Sequence, residues 1–187
     1  MRTEAATRAV PRPFTARELR DAFGTFTTGV TVVTGVRPDG EPVGATVNSF
    51  TSVSLQPPLI LWCLANESPS LGAFTPGAPF AVHVLAHNQL DMARHFARRG
   101  REKFDVDPHW RSDPRPPHLA DSLCRLGCRV HAVHPGGDHR IVIGEVLSLQ
   151  RAVGKPLAFH AGRFGRFRAE LQLEPSAVWR SLDDEWF

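Results

Sequence analysis

The chain has 187 residues, enough for one domain with a substantial core. Its formal net charge of +3 is compatible with a phosphorylated ligand but too small to indicate nucleic acid binding. Three cysteines, an odd number, do not suggest a disulfide framework and favour a reducing compartment. No apolar run reaches membrane-span length, and no secretory signal pattern is evident. We therefore expect a cytoplasmic protein without membrane attachment.

The first third of the chain predicts one helix followed by strands. Residues 1–13 are basic and punctuated by proline, which is typical of a flexible tail. Thr15 is a candidate N-cap for a helix in "ARELRDAFGTF". "GVTVVTGV", the turn "RPDGE" and "PVGATV" together predict a β-hairpin. "LILWCLA" is a continuous apolar run, which indicates a buried strand.

The rest of the chain adds more strands and a second helix. "NESPSLGAFTPG" predicts turns with a short helix, and "PFAVHVLA" a strand. "NQLDMARHFARRGREKF" predicts a helix, with Leu90, Ala93, Phe96 and Ala97 near helical spacing. "DVDPHWRSDPRPPH" predicts a long polar loop that covers a site. "LCRLGCRVHAVHPGGDHRIVIGEVLSLQ" predicts a strand, a turn and a further strand, and "PLAFHAGRFGRF" predicts a late strand and a turn. Many strands without a βαβ rhythm favour an antiparallel barrel with a few peripheral helices.

Several common kinds of site are not favoured. "GAPFAVHVLAHNQ" and "HPGGDHR" lack the glycine spacing of nucleotide and dinucleotide loops. Cys63 lies in an apolar run, and no G-x-S-x-G elbow is present, which argues against a nucleophilic enzyme. The arginines of "ARHFARRGREK" indicate a solvated helix face more than a nucleic-acid patch. Lys103, expected to end this helix just before Phe104, is placed to reach an anionic ligand.

Cys124, Cys128, His131 and His134 have metal-ligand chemistry, and structural zinc takes four such ligands. In a strand over residues 128–134, Cys128 and His134 share one face and His131 points to the other. That alternation favours packing cysteines and partly exposed histidines, so we predict no metal site.

A cluster of small polar residues occurs in "GATVNSFTSVSLQPPLILWCL". Thr46, Asn48, Ser52 and Ser54 all fall on even positions, so an extended chain places them on one face, with Phe50 as the exception. Small hydroxyls and an amide suit a planar, heteroatom-rich ligand lying close to the backbone. A solvated barrel edge accounts for the pattern equally well, and periodicity alone leaves both interpretations open.

These motifs resemble the flavin reductase-like domain family, which includes the reductase components of two-component flavin-dependent monooxygenases. The resemblance is carried by "FTTGVTVVTG", "GATVNSFTSVSLQPPLILWCLANES", "FAVHVLAHNQ", "KF", "GDHRIVIGEV" and "FHAGRFGRF", in family order from about Phe14 to Phe167. It implies a mainly β fold, a split antiparallel FMN-binding barrel of Greek-key type. It further implies one domain over residues 14–170 and a homodimer with sites near the subunit interface.

The resemblance also implies chemistry. The protein would be an NAD(P)H:flavin oxidoreductase that transfers a hydride from NADH or NADPH to FMN or FAD. Reduced flavin would then diffuse to a separate monooxygenase or halogenase. The cofactors carry such chemistry, and the protein supplies orientation and electrostatics, which agrees with the lack of a catalytic-triad signature in the sequence. A flavin-binding carrier or sensor without turnover, and a split-barrel oxidase acting on another substrate, are the alternatives.

Site residues follow from the same resemblance. Flavin would be bound by these residues: Thr46, Asn48, Ser49, Phe50, Thr51, Ala65, Ser68, Ser70, Lys103, Phe104, Arg163 and Phe164. Lys103 and Phe104 would lie near the flavin phosphate, and backbone N–H groups around 48–51 would stabilise charge on the reduced ring. His139 of "GDH" would position the nicotinamide without acting as an essential acid.

The chain departs from the family in two places, with His83 where Asn is frequent and Phe164 where Tyr is common. Neither the choice of FMN or FAD, nor that of NADH or NADPH, is decided by the sequence, and flavin retention is also left open. Residues 171–187 form an extension beyond the resemblance, which we expect to pack on the barrel or a neighbouring subunit more than to bind another protein.

Overall fold

The structure is a computed structural model that describes residues 13–98, 100, 103–104, 110–111 and 116–168. It contains helices α1 (Ala16–Phe23) and α2 (Leu90–Ala97) and a 3-10 turn at Leu71–Ala73. The strands are β1 (Thr28–Gly29), β2 (Thr31–Val36), β3 (Pro42–Val47), β4 (Thr51–Leu55), β5 (Pro58–Ala65), β6 (Pro79–Val84), β7 (Trp110–Arg111), β8 (His118–Leu119), β9 (Cys124–Gly136), β10 (His139–Arg151), β11 (Leu157–His160) and β12 (Arg163–Arg166).

Seven of these strands form one sheet in the order β3-β2-β6-β9-β10-β5-β4. A three-stranded sheet has the order β1-β11-β12, and β7 pairs with β8. All of the strand pairs are antiparallel. The expected mainly β, antiparallel architecture is therefore confirmed.

The seven-stranded sheet curls so that its first strand returns toward its far edge. β3 contacts β5 although four strands separate them in the sheet. Direct strand pairing does not close this gap, because β3 pairs with β2 and β5 pairs with β10 and β4. The barrel is therefore split along the open edge of β3, in agreement with the fold that the family resemblance implies.

Two apolar clusters stabilise this arrangement. Inside the barrel, the rings of Trp62, Phe74 and Phe80 pack against one another with centroids 4.8 to 6.2 Å apart. On the other side of the sheet, Phe96 of α2 packs with Trp110 and the strand residues of a second cluster. Burial of large aromatic side chains contributes most to such cores. The second cluster fixes α2 against β2 and β3, beside the split.

Several local predictions are confirmed. Thr15 caps α1 through a capping box with Glu18. The predicted hairpin is formed by β2 and β3, and the predicted late strand is β11, which pairs with a further strand, β12, that was not predicted. β5 is a strand as expected, but burial alternates along it, with Ile60, Trp62 and Leu64 buried and the intervening residues partly exposed. Only one face of β5 is turned to the core.

Two local predictions are wrong. Helix α2 ends at Ala97, so Lys103 lies beyond it and does not end it. On β9, Cys128 is buried whereas His131 and His134 are both exposed. The register shifts between Ile143 and Gly144, where His131 is the additional residue of a β-bulge, and this reverses the alternation that follows. Cys128 and His134 therefore do not share a face.

Some expectations lie outside the described residues, namely the N-terminal tail, most of the polar loop around Trp110 and the C-terminal extension. Within the described ranges, no group of three or more His, Cys, Asp or Glu side chains is arranged to bind a metal ion. Over the same residues, no helix is long and apolar enough to cross a lipid bilayer.

Candidate functional site

A cleft of about 670 Å³ lies along the split in the barrel. Its lining comes from the whole of β3, the last residues of β5, the turn at 66–70, the C-terminal end of α2 and the tip of the β9–β10 hairpin. Seven of the twelve predicted flavin-site residues line this cleft together with His139, namely Thr46, Asn48, Ser49, Ala65, Ser68, Ser70 and Lys103. Residues far apart in sequence thus meet in one place.

The open edge of β3 forms one wall of the cleft. The Gly44 carbonyl accepts a hydrogen bond from the Lys103 side chain, so this carbonyl points away from β2. In an antiparallel ladder, outward-pointing groups recur at every second residue. The N–H and C=O of Thr46 therefore point to the same open edge. An edge strand that faces a cleft offers a planar ligand a row of donors and acceptors.

Glycine at position 44 allows this wall to lie close to helix α2. A Cβ atom built there would lie 2.5 Å from a ring atom of the buried Phe96. The hydroxyl of Thr46 donates to the Ala93 carbonyl of α2 at 2.7 Å. The hydroxyl of Thr46 therefore positions the helix, and its backbone is what faces the open edge.

Lys103 places a positive charge in the cleft beside the end of α2. Its Nζ donates to the carbonyls of Gly44 at 2.9 Å and Phe96 at 3.1 Å. A cation at a helix C-terminus is favourable, since the last carbonyls carry partial negative charge. Burial lowers the pKa of the Lys103 ammonium. An ammonium has three donors, so one remains for a ligand.

The connection from β3 to β4 carries the polar residues at the centre of the cleft. Ser49 joins this connection to β5, because its Oγ accepts a hydrogen bond from the Cys63 N–H at 2.9 Å. Asn48 is exposed at the cleft surface. Ser52 and Ser54 lie on β4, at the opposite edge of the sheet from β3. The predicted single extended face is therefore wrong, because the chain turns at 48–50 and changes sheet edge.

The turn after β5 closes one end of the cleft. The Ser68 N–H donates to the Ala65 carbonyl at 2.9 Å, and the Ser70 N–H donates to Ser68 Oγ at 3.3 Å. Ser70 is buried, with 7% of its surface exposed. Its neighbours in the cleft include Asn66 and Glu67. The serines thus shape this turn, and only the hydrogen-bonding groups that they do not use within it are available to a ligand.

The tip of the β9–β10 hairpin brings His139 to the same end of the cleft. His139 pairs with Ala65 in the ladder between β10 and β5. Its Nδ1 lies 2.7 Å from Oδ1 of Asp138. Hydrogen bonding to His139 lowers the pKa of the Asp138 carboxyl, so this exposed group is ionised at neutral pH.

Six lining residues with charged or amide side chains were not predicted, namely Arg37, Glu41, Asn66, Glu67, Arg98 and Asp138. Nη1 of Arg37 lies 2.6 Å from Oε2 of Glu41, across the β2–β3 turn. The turn signal "RPDGE" located this hairpin but contained no information about a cleft. Asn66 stands in "LANES", immediately after a strand. Polar residues in the loops that follow strands are frequent in binding sites, and this position was the signal that could have identified Asn66.

Other predicted residues do not line the cleft of this chain. Phe50 packs on the barrel core, and Thr51 is exposed on β4. Phe104 packs on Phe96 and Trp110 with ring centroids about 5 Å away. Arg163 and Phe164 belong to β12, where Phe164 packs on Phe159. Their part in ligand binding stays a prediction.

An antiparallel split barrel with a polar cleft along one strand edge is typical of small barrels that bind a cofactor. The chain belongs to the flavin reductase like domain family, whose model matches residues 23–168.

Similar proteins agree with this assignment. The chain is 47% identical over 159 residues to FMN reductase (NADH) SmoA of Agrobacterium fabrum, which covers 84% of this chain and 90% of that protein. It is 39% identical over 173 residues to the reductase component of a 4-nitrophenol 4-monooxygenase/4-nitrocatechol 2-monooxygenase of Rhodococcus opacus, covering 92% of this chain and 90% of that protein. The structure of Streptomyces globisporus NADH:FAD oxidoreductase SgcE6, in complex with NAD and FAD fragments, matches with a TM-score of 0.77 at 40% identity, over 87% of this chain and 99% of that one.

Proposed function

We propose that this protein is an NAD(P)H-dependent flavin reductase that transfers a hydride from a nicotinamide cofactor to FMN or FAD. It supplies the reduced flavin to a separate flavin-dependent monooxygenase or halogenase. The observation that carries the proposal is the cleft, in which the strand edge of β3, Asn48 and Lys103 line one wall. Family membership and relatives named as NADH-dependent flavin reductases support it.

The residues present fit a flavin. An isoalloxazine ring is flat and carries alternating donors and acceptors on its pyrimidine edge, which suits the outward backbone groups of β3 and the amide of Asn48. Lys103 and Arg98 line the cleft near the end of α2, where they suit an anionic phosphate. Arg37 also lines this side, but its charge is partly offset by Glu41. The polar edge and the cationic end therefore match the two ends of FMN.

The chain contributes orientation and electrostatics. A bound flavin supplies the hydride-accepting chemistry, with the nicotinamide as donor. Ser49 and Asn66 hold the two connections that form the cleft, through hydrogen bonds to β5 and to the hairpin tip. His139 lines the same cleft from the tip of the β9–β10 hairpin and would contact the nicotinamide. In this proposal, the fixed positions of the two cofactors accelerate hydride transfer, and no acid–base residue is required.

The exposed apolar surface supports a homodimer. Several large apolar side chains are more than about a third exposed in the single chain: Phe14, Leu19, Phe23, Phe26, Val53, Leu55, Leu147, Leu149, Val153 and Phe167. Helix α1 has no buried residue of its own. Exposed apolar side chains mark association surfaces where they lie together in one patch. A second copy covers them in this proposal, and sedimentation of the purified protein tests it.

One assay tests the catalytic part of the proposal. NADH and NADPH oxidation is followed with FMN, FAD and riboflavin in turn, and the absorbance spectrum of the purified protein is recorded. We expect nicotinamide oxidation that depends on added flavin. Flavin binding without turnover would identify a carrier or sensor, and turnover only with a further organic substrate would identify an oxidase. Either result would contradict the proposal.

The partner is tested by coupling. The reductase and a flavin-dependent oxygenase are placed in one reaction, and product formation is compared with and without a dialysis membrane between the two proteins. Diffusible transfer predicts product in both arrangements. Product that appears only in direct contact would contradict transfer by diffusion.

A further inference from the structure

The tip of the β9–β10 hairpin is held in one position against the end of β5. The N–H of Asn66 donates to the Asp138 carbonyl at 3.0 Å. The side-chain amide of Asn66 donates to the Gly137 carbonyl, also at 3.0 Å. Gly137 has a φ of +71°, a conformation that glycine adopts without strain. Two hydrogen bonds from one residue therefore fix the turn that carries Asp138 and His139.

Within this turn, the two side chains form a directed pair. Nδ1 of His139 and Oδ1 of Asp138 are 2.7 Å apart. An ionised carboxylate can only accept hydrogen bonds, so the hydrogen between them belongs to Nδ1 of His139. In the neutral imidazole, this leaves Nε2 with a lone pair, as an acceptor. His139 lines the cleft, so Nε2 is the ring nitrogen that a ligand can meet.

We infer that Asp138 is a positioning residue, which holds His139 in the Nδ1–H form so that Nε2 accepts a hydrogen bond from an N–H group of the hydride donor. The group of matching chemistry on a nicotinamide is the carboxamide –NH₂. This inference rests on the proposed function, because it concerns the nicotinamide cofactor of that reaction. It adds Asp138 and Asn66 to the residues that determine how the dinucleotide is bound.

The strength of the pair is not what matters. The Asp138 side chain is 93% exposed, so its contact with His139 contributes little to stability. Its effect is on which imidazole nitrogen carries hydrogen, as in catalytic triads, where a carboxylate sets the histidine tautomer. The expected consequence is therefore in recognition of one ligand group and not in folding.

The test compares NADH with reduced 3-acetylpyridine adenine dinucleotide, which has a methyl ketone in place of the carboxamide and thus no N–H donor. Values of kcat/KM are measured with saturating flavin for the wild type and for Asp138→Asn and His139→Ala. An Asn at position 138 can accept from or donate to Nδ1 of His139, so it no longer favours one imidazole tautomer, and it has nearly the same shape as Asp. For each dinucleotide, the kcat/KM of a variant is divided by that of the wild type, so intrinsic differences between the two dinucleotides cancel.

We expect His139→Ala to lower kcat/KM for NADH by about five- to tenfold relative to the analogue, as the loss of one hydrogen bond implies. Asp138→Asn should lower the ratio of kcat/KM for NADH to kcat/KM for the analogue by about threefold. The change should come mostly from KM for NADH, with kcat nearly unchanged. Asp91→Asn removes an equal charge from the exposed side of α2 and is the matched control, expected to leave the ratio unchanged. Equal effects of Asp138→Asn on both dinucleotides, or none, would overturn the inference.

A second measurement is independent of turnover. The ¹⁵N shifts of the His139 ring distinguish the Nδ1–H from the Nε2–H form in the full-length protein. The wild type should show Nδ1–H, and Asp138→Asn should show a mixture. An Nε2–H ring in the wild type would overturn the inference even if the enzyme is active. Absence of flavin-dependent NADH oxidation in the wild type would instead contradict the proposed function, with the tautomer still measured.

Discussion

The hydroxyl oxygen of Ser49 accepts a hydrogen bond from the Cys63 N–H at 2.9 Å, and so joins the β3–β4 connection to β5. The ladder between β4 and β5 pairs Thr51 with Leu61. Extended by two residues, the same register places Ser49 opposite Cys63, where a side chain replaces the backbone as acceptor. This contact fixes the edge of the split that lines the cleft.

Replacement of Ser49 by Ala should weaken both the fold and flavin binding. The partly buried Cys63 N–H loses its acceptor, which costs about 1 to 2 kcal/mol. We expect a lower free energy of unfolding in urea and a higher flavin Kd in fluorescence titrations. Ser52→Ala on the exposed part of β4 is the matched control, expected to change neither. Equal losses in the two variants would contradict the assigned role of Ser49.

Replacement of Asn48 by Leu should separate binding from stability. Asn48 is exposed in the cleft, so its amide is available to a ligand and contributes little to the core. We expect flavin affinity to fall by about tenfold or more, as for a lost hydrogen bond with an apolar group left in its place, and the Tm to change little. Asn88→Leu, at an exposed position outside the cleft, is the control. Unchanged flavin binding in Asn48→Leu would exclude Asn48 from the site.

Much of the fold was predictable because its signals are local. The β2–β3 hairpin follows from β-branched residues around an Asp-Gly turn, and α1 follows from Thr15 and Glu18 three residues apart. The buried positions Ala93 and Phe96 follow from helical spacing in α2. Each of these patterns involves residues within one element or one turn.

The incorrect predictions concern relations between distant elements. Thr46 and Ser52 are close in sequence, yet the strands β3 and β4 lie at opposite edges of the sheet, which pairing between distant residues determines. The bulge at His131 depends on the register with β10 and is not visible in β9 alone. Arg37, Asn66 and Arg98 reach one cleft only after the barrel curls. Family resemblance supplied candidate site residues that periodicity could not.

Replacement of Lys103 by Met should distinguish a phosphate contact from a purely structural role. Lys103 bonds to two backbone carbonyls, and its remaining donor would contact the flavin phosphate. We expect FMN affinity to fall by about tenfold and riboflavin affinity, which involves no phosphate, to fall much less. The two dissociation constants are measured by fluorescence quenching at several salt concentrations, and the difference should shrink as ionic strength rises.

The control for this charge is Lys155→Met, on an exposed segment outside the cleft, which should leave both constants unchanged. A structural role alone predicts that Lys103→Met weakens FMN and riboflavin equally, because both need the same wall. That result would remove Lys103 from the phosphate site and leave it as the residue that binds the end of α2 to β3.

Stability below neutral pH should depend on His83, which is completely buried and hydrogen-bonded through Nδ1 to the Val32 carbonyl at 3.0 Å. Burial, with smaller contributions from Arg125 and His118, lowers the pKa of His83 from 6.5 to about 4. Above pH 6.5 the ring is neutral in both folded and unfolded chains and adds no pH dependence. As the pH falls from 6.5 toward 4, the unfolded chain takes up a proton that the folded chain does not, so stability decreases.

The variant His83→Asn removes this titration while keeping a side-chain donor for Val32. We expect urea unfolding to show that the wild type loses about 2 kcal/mol more than the variant between pH 7 and pH 5. The other titrating groups are common to both proteins and cancel in the difference. The absolute stability of the variant does not enter, because only the change with pH is compared. Parallel stability curves over this range would show that His83 does not titrate differently in the folded and unfolded states.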